Sequence, residues 1–214
     1  MKFAYILIHF KIYEPIMKWI FFLNIKMTYY YRQLFLFYIP NLKVILTGKI
    51  KVNYTVPRVQ QTTLITGQGN VRIGKNCNFG YKLGGFHRGG SIELQAREVH
   101  SIIVLGNNIS TNNNIFICAS NYIEIGDNTL IGQSVTIMDF EAHGIKPSER
   151  RNNVNIGKVI IGDNVWIGNN VLILKNTVIG SNSVVAAGAV VSGVFPNDVI
   201  IGGVPAKTIK SING

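Results

Sequence analysis

His143 is the residue whose type and setting best suit proton transfer. It lies in a polar and charged stretch, MDFEAHGIKPSERRNNVN, at residues 138–155. Imidazole titrates near neutral pH and can remove a proton from an attacking hydroxyl or amine. A base of this kind usually needs an acceptor on its other ring nitrogen, and Asp139 and Glu141 are both near in sequence. A solvated loop histidine beside water-exposed carboxylates is equally consistent with these residues alone.

Other polar or reactive groups carry weaker signals. Arg150 and Arg151 follow the histidine and could bind a phosphate or carboxylate of a substrate, or could simply be solvated. Cys77 and Cys118 form no CxxC motif and have no close histidine, so we interpret them as small packing residues. The remaining histidines lack the close spacing of metal ligands, and no metal is expected.

A period of six residues dominates the second half of the chain. Neither the 3.6-residue period of a helix nor the two-residue period of a flat strand explains it. A six-residue unit is typical of one short strand plus one corner, and three units would close a triangular coil of about eighteen residues. Asn and Asp at the corners tolerate turn conformations. The aliphatic residues in this frame are Ile125, Ile131, Ile137, Ile161, Ile167, Ile173, Ile179, Val185 and Val191.

The repeat therefore predicts a mainly β fold, a parallel β-helix of hexapeptide repeats over residues 46–207. The break at 138–155 predicts a loop extruded from the stack, where rigid scaffolds often place chemistry. A second departure at 81–90 predicts another loop. Residues 201–207 are expected to form a turn, and 208–214 a short C-terminal tail.

Residues 1–45 differ from the rest in charge and hydropathy. The net charge is +11, and residues 1–60 hold nine of the 21 Lys and Arg but only one acid, Glu14. Interrupted apolar runs there predict a short helical segment, with neither a spanning helix nor a signal peptide. We expect it to pack on the domain or a neighbouring subunit, with peripheral membrane contact through residues 1–40 as the alternative. The scattered bases and the lack of a known motif argue against nucleic acid as a partner.

Three segments resemble the sugar and xenobiotic acetyltransferases of the hexapeptide-repeat superfamily. They are DNVWIG at 163–168, IGGVPAK at 201–207, and the histidine-bearing loop DFEAH at 139–143. The resemblance covers residues 60–210 and implies a left-handed β-helix with an extruded catalytic loop, in which His143 is the base. Asp139 is the first choice for the acceptor that orients it, with a backbone carbonyl, which the family also uses, as the alternative. It also implies a homotrimer whose acetyl-CoA site is shared between neighbouring subunits.

The resemblance also assigns binding residues. Asn114 matches an asparagine that contacts the acceptor sugar, with a ladder of corner asparagines as the alternative. Arg150, for the reason given above, is a second candidate for binding the acceptor. Residues that match the acetyl-CoA site are Trp166, Gly168, Asn169, Ala187, Gly188 and Lys207. The chain departs from the family at Ser192-Gly193-Val194, where many relatives have Thr-Lys-Asp. Lys175 or Lys210 could replace that phosphate-contacting lysine.

The expected activity is acetyl transfer from acetyl-CoA to a sugar hydroxyl, in surface polysaccharide biosynthesis. The acceptor would be a sugar, a nucleotide sugar or a polysaccharide, and the enzyme would be cytoplasmic, at the inner face of the membrane if residues 1–40 bind lipid. N-acetylation of a nucleotide-linked amino sugar is the alternative, weakened because the chain has no glycine-rich βαβ start. A non-catalytic scaffold or a β-helical metal enzyme is a further alternative; the latter needs three suitably spaced histidines.

Overall fold

A computed structural model describes residues 2–48, 50–52, 57–151 and 155–213, with side chains described from residue 18 to 48 and from 57 onwards. Three helical elements open the chain: α1 (Lys2–Gln33), one π-helical turn (Leu34–Tyr38) and α2 (Leu42–Leu46). A 3₁₀ turn lies at Pro147–Glu149. The strands are β1 (Ile50–Val52), β2 (Arg58–Val59), β3 (Thr63–Gly67), β4 (Asn70–Ile73), β5 (Asn78–Phe79), β6 (Ile92–Ala96), β7 (Ile102–Leu105), β8 (Ser110–Thr111), β9 (Phe116–Ala119), β10 (Tyr122–Ile125), β11 (Leu130–Ile131), β12 (Thr136–Met138), β13 (Phe140–Glu141), β14 (Asn155–Ile156), β15 (Lys158–Ile161), β16 (Trp166–Ile167), β17 (Leu172–Ile173), β18 (Thr177–Ile179), β19 (Val184–Val185), β20 (Val190–Val191), β21 (Val194–Phe195), β22 (Val199–Gly203) and β23 (Ala206–Ser211).

The strands form the three faces of a prism. The first sheet has the order β1-β4-β7-β10-β15-β18-β21, the second β2-β5-β8-β11-β16-β19-β22-β23, and the third β3-β6-β9-β12-β17-β20. Successive strands along the chain visit the three sheets in turn, apart from β13 and β14, which form a separate antiparallel pair, and β23, which follows β22 in the second sheet. Stacked strands within each of the three sheets are parallel, except for β22 and β23. We call the corner between the first and second sheets the first edge, that between the second and third the second edge, and the remaining corner the third edge.

The six-residue period places one aliphatic side chain per face inside the prism. Ile161 pairs with Ile179 and Ile167 with Val185, each eighteen residues on, as the triangular coil requires. These four side chains are at most 1% exposed. The core is thus a continuous column along the prism axis, and each coil covers the apolar surface of its neighbours.

Asparagines occupy the corners in the left-handed region of backbone space. On the first edge Asn128, Asn164 and Asn182 have φ of 58°, 55° and 60°. Their side chains link successive coils, and Asn164 Nδ2 donates to Asn182 Oδ1 at 3.0 Å. The predicted corner role of asparagine is confirmed here, because this residue tolerates positive φ better than most.

The N-terminal segment closes one end of the prism. Phe37 is buried in the core, and the fully buried Asn41 donates to Thr63 O at 2.7 Å and accepts from Ile65 N at 2.6 Å. With its amide oriented to suit its neighbours, Gln33 donates to Pro57 O at 2.8 Å. The end of the solenoid is therefore capped by side chains that satisfy its first strands. In the described part of the chain, no helix has the length and apolarity needed to cross a membrane.

A hairpin closes the other end. Strand β22 continues the second sheet, and β23 returns antiparallel to it after the turn at Val204-Pro205. The turn expected over 201–207 is confined to Val204-Pro205, and the short tail expected after 207 is strand as far as Ser211. The reason is that β22 would otherwise leave an unpaired edge at the end of the sheet.

Candidate active site

The loop that carries His143 leaves the third edge on a short antiparallel ladder. Strand β13 pairs with β14, and Asn155 Nδ2 donates to Glu141 Oε2 at 2.8 Å. Lys175 Nζ lies 3.4 Å from the other oxygen of Glu141, which ties the ladder to the next coil. Phe140 is buried, and the Arg97 guanidinium lies 5.1 Å from its ring centroid. The base of the loop is therefore held by packing, charge and hydrogen bonds.

A tight closure at the tip of the loop positions the imidazole. Gly144 N donates to Glu149 O at 3.2 Å, bringing the two limbs of the loop together. A Cβ at Gly144 would lie 2.5 Å from both Cβ and the carbonyl oxygen of Glu149, so only glycine allows this approach. The closure brings Arg150, the residue after Glu149, next to the exposed His143 ring. His143 Nδ1 lies 2.6 Å from Arg150 O.

This contact fixes the tautomer of His143. A carbonyl oxygen can only accept, so a neutral imidazole must carry its proton on Nδ1. The lone pair on Nε2 is then free to take a proton from another group. The arrangement is one that would suit a general base, because the second ring nitrogen is held by a backbone acceptor.

Asp139 does not orient His143. Its carboxylate is fully buried and accepts backbone N–H groups from Ser120 at 2.7 Å, Asn121 at 2.9 Å and Tyr122 at 2.6 Å. Burial raises the pKa of this carboxyl, and those N–H donors act to lower it. The acceptor at Nδ1 of His143 is the carbonyl of Arg150 and not Asp139, because the carboxylate is engaged at the third edge, where the loop leaves the coil.

Cys118 has the packing role expected for it. It lies on β9, opposite Met138, where its thiol is buried and contacts Gln95 Oε1 at 2.9 Å. Burial raises the pKa of this thiol to about 11. A neutral, covered sulfur is a poor nucleophile at neutral pH.

The residues matched to the acetyl-CoA site lie along the second edge. Gly168 and Asn169 form the corner after Trp166, and Ala187 and Gly188 form the corner of the next coil. Gly168 N donates to Val185 O at 2.8 Å and Gly188 N to Asn169 O at 2.9 Å, so the two corners are in direct contact. A Cβ at Gly168 would lie 2.6 Å from Ala187 N. The edge therefore presents small residues and close backbone to anything that lies along it.

Trp166 and Lys207 flank this edge. Trp166 projects outward from the second sheet and is 57% exposed. Lys207 lies on β23, paired with Gly202 one coil beyond Ala187, and its side chain is exposed. An apolar ring and a cation thus stand beside the same run of backbone.

Asn114 belongs to the same edge, two coils earlier. Its φ is 61°, and its Nδ2 donates to Ser134 Oγ at 3.1 Å in the next coil. Asn114 is therefore a corner asparagine in a ladder, as the alternative interpretation held. Its exposed side chain still faces the solvent beside the second edge.

A single chain keeps the two halves of the predicted site on different corners. The His143 loop leaves the third edge, whereas Asn114 and the run from Gly168 to Gly188 lie on the second. No hydrogen bond or ion pair between described residues joins His143 to the second edge. Arg150 is close to His143, but through its backbone, and its side chain is exposed. Within the described ranges, no three His, Cys, Asp or Glu side chains cluster as metal ligands.

The sequence and structure match known proteins. A family model described as "Bacterial transferase hexapeptide (six repeats)" matches residues 158–193. WbbJ of Escherichia coli K12, provisionally named a lipopolysaccharide biosynthesis O-acetyl transferase, is 33% identical over 70% of this chain and 76% of its own. The chain belongs to the hexapeptide-repeat acetyltransferases.

Two solved structures are similar to this chain, and the first agrees with this family. A maltose O-acetyltransferase from Clostridium difficile 630 is 29% identical over 79% of this chain and 74% of its own, with a TM-score of 0.50. A galactoside acetyltransferase solved with coenzyme A is 28% identical over 77% of this chain, with a TM-score of 0.48; this chain spans 64% of its length, just under two thirds. Family membership confirms the predicted left-handed parallel β-helix and the predicted acyltransferase class.

Two features of this hexapeptide-repeat enzyme escaped the sequence analysis. One is the closure of the His143 loop at Gly144. The glycine directly after His143 is the sequence feature that could have predicted it. The other is the position of the loop predicted at 81–90, which bends over the second edge. There Asn113 Nδ2 donates to Tyr81 O at 2.8 Å and to Gly85 O at 2.9 Å, next to Asn114.

Proposed function

We propose that this enzyme transfers the acetyl group of acetyl-CoA to a sugar hydroxyl, with His143 as general base. The observation that carries the proposal is the contact between His143 Nδ1 and Arg150 O, which leaves Nε2 free to accept the hydroxyl proton. As that proton leaves, the sugar oxygen attacks the thioester carbonyl, and coenzyme A departs as the thiol. Cys118 is buried and protonated, which supports direct transfer without an acyl-enzyme intermediate.

The second edge is our proposed site for acetyl-CoA. Small corner residues from Gly168 to Gly188 let a pantetheine arm lie against exposed backbone. Trp166 offers an apolar wall, and Lys207 a cation for the nucleotide phosphates. Lys175 is engaged with Glu141 at 3.4 Å, so it is a poorer substitute for the lysine missing near Ser192 than Lys210, which is exposed on β23.

A complete site is proposed to form between subunits of a homotrimer. The His143 loop and the second edge lie on different corners of one prism, and a neighbouring prism can bring its own second edge to the loop. Asn114 and the side chain of Arg150 would then contact the acceptor from the two sides of the cleft.

The acceptor is proposed to be a sugar of surface polysaccharide biosynthesis. This rests on the similarity to WbbJ and on family members named for sugar substrates. The reaction is proposed to take place in the cytoplasm, at the inner side of the membrane. The basic and aromatic residues before residue 40 are suited to peripheral contact with its inner face.

A thiol-release assay with acetyl-CoA tests the function. Monosaccharides, nucleotide sugars and polysaccharides would be offered in turn, and acetylated products identified by mass spectrometry. We expect His143→Ala to lower kcat by about 10²–10⁴-fold, the usual contribution of a general base. His100→Ala, which changes an exposed histidine outside the loop, should leave the rate unchanged. Full turnover in His143→Ala would overturn the mechanism, and thiol release with amino sugars alone would transfer the proposal to N-acetylation.

A further inference from the structure

A basic cleft lies at the N-terminal end of the prism, between α1 and the first coil. Its volume is about 890 Å³. Four cations line it: Lys26 and Arg32 from α1, Arg58 from β2, and Lys82 from the loop after β5. No acidic residue is among the lining residues. The cleft is separate from the His143 loop and from the run between Gly168 and Gly188.

The four cations converge from three separate elements with little to balance them. Across the described ranges, none of the four forms an ion pair with a carboxylate, and Lys26 Nζ lies 4.6 Å from the ring centroid of Phe22. Like charges that converge in a concave site attract an anion, because low-dielectric walls concentrate their field. Arginine favours phosphate in particular, because its planar fork donates two parallel hydrogen bonds.

The walls of the cleft and the helix beside it are apolar and aromatic. Phe21, Ile25, Tyr29 and Tyr30 line the cleft together with the cations. Phe21 is 68% exposed, and Trp19, two residues earlier on the same helix, is 63% exposed. Aromatic residues next to cations are typical of protein surfaces that lie at the headgroup level of a membrane.

We propose that this cleft binds the phosphate group of a lipid, with exposed aromatic side chains of α1, such as Trp19 and Phe21, in the membrane interface. The cations contact the phosphate oxygens, and the aromatic residues contact the adjoining glycerol or acyl region. Nucleic acid offers the same phosphate chemistry but would leave Trp19 and Phe21 in water, so a lipid fits both features. The proposal is independent of acetyl transfer, because it concerns binding in the absence of acetyl-CoA.

Two kinds of lipid carry this chemistry, an anionic phospholipid and a polyprenyl diphosphate of the sort that carries sugars. Co-sedimentation of the full chain with vesicles separates them. One arm uses phosphatidylglycerol in phosphatidylcholine, and the other uses a polyprenyl diphosphate in phosphatidylcholine at equal surface charge. Equal binding in both arms assigns the cleft to anionic headgroups in general. Stronger binding in the diphosphate arm assigns it to lipid-linked sugar carriers. Binding in neither arm overturns the proposal.

Paired variants distinguish lipid binding in the cleft from nonspecific adsorption of α1 to the membrane. Arg58→Ala with Lys82→Ala removes two cations that line the cleft but are not on α1. Each cation contributes about 1 kcal/mol to membrane binding, so the loss of both should raise the lipid concentration needed for half-maximal binding by at least tenfold. The control, Arg72→Ala with Lys158→Ala, removes the same charge from the first sheet and should change binding by less than twofold. Equal effects of the two pairs would overturn the assignment to the cleft.

Two further measurements complete the test. Sedimentation velocity of each variant should give the same oligomeric state as the unchanged protein, which shows that lost binding is not lost assembly. A short duplex DNA should compete poorly with the vesicles. If it instead binds more tightly than either vesicle, and does so through Arg58 and Lys82, the lipid proposal is wrong.

Discussion

His143 Nδ1 lies 2.6 Å from the backbone carbonyl oxygen of Arg150, seven residues further along the same loop. The imidazole and the carbonyl group that contacts it thus belong to one closed segment. The geometry of the imidazole therefore depends on how that segment closes, and no second side chain is needed to select the tautomer.

Gly144→Ala should disrupt the closure without unfolding the prism. The new Cβ would lie 2.5 Å from Glu149, so the loop must open and Arg150 O must move away from His143. We expect kcat to fall by about 10–100-fold, because misplacement by about 1 Å can lower a rate that much. Steady-state kinetics would measure this, with circular dichroism to follow the fold. The control is Gly89→Ala, since a Cβ at Gly89 has no neighbour within 4 Å. An unchanged rate in Gly144→Ala would show that the closure is dispensable.

Asp139→Ala should destabilise the protein more than it slows the chemistry. It leaves buried N–H groups of Ser120 and Tyr122 without their acceptor, at about 1–3 kcal/mol for each unsatisfied group. Thermal unfolding should show a lower Tm, and Glu98→Ala, at a partly exposed acid, should show little change. Asp139→Asn keeps one acceptor and should recover part of the loss.

The pH dependence of that stability also follows. Burial raises the pKa of Asp139 in the folded state, so its contribution is largest below the unfolded pKa and is lost as pH rises through the folded value. Asp139→Asn cannot ionise and should flatten this part of the stability profile. A variant with full stability but no activity would instead restore Asp139 as a residue that orients His143.

Cys118 should resist alkylation in the native protein. With a thiol pKa of about 11, less than about one thiol in a thousand is ionised at pH 7.5, and the side chain is also covered. Labelling by iodoacetamide, followed by mass spectrometry, should be slow at neutral pH and accelerate about tenfold per pH unit until the thiol ionises, provided that the fold is intact. Cys118→Ala should retain acetyl transfer. An acetylated Cys118 trapped after mixing with acetyl-CoA would contradict the direct mechanism.

Lys207 and Lys175 should affect different kinetic constants. Lys207→Ala should raise KM for acetyl-CoA by about 5–30-fold with little change in kcat, since a charged hydrogen bond contributes about 1–2 kcal/mol to binding. Lys175→Ala removes the partner of Glu141 at the base of the loop, so kcat should fall while KM for acetyl-CoA stays constant. Lys158→Ala, a change on the first sheet, serves as the control. The reverse pattern would place the phosphates at Lys175.

Asn41→Ala should weaken the cap of the prism. The buried amide bonds Phe37 O, Thr63 O and Ile65 N, and its loss leaves these groups unsatisfied. We expect the free energy of unfolding to fall by about 2–4 kcal/mol. Chemical denaturation would measure it, and Gln68→Ala, an exposed change, provides the comparison. Equal stability of the two variants would show that the cap is not part of the cooperative unit.

The sequence by itself determined the prism, because its period of six is a local property that each coil repeats. Ile161, Ile167 and Ile173 each need an inward position, and the corner asparagines need positive φ, so coil length and register follow from spacing alone. The same spacing also marked the third-edge loop, which carries His143, as a departure from the repeat.

Only the tertiary structure decided how the loop and the ends of the prism are held. From the sequence, Asp139 was the first choice as partner of His143, and nothing in the spacing pointed to the carbonyl of Arg150. What separates them is that the start of β10 and the residues before it offer three N–H groups to the carboxylate, while Gly144 folds the Arg150 carbonyl back onto the ring. The basic cleft likewise joins Lys26, Arg58 and Lys82 from distant segments. Such contacts depend on packing between residues far apart in the chain, which the six-residue period of the sequence does not specify.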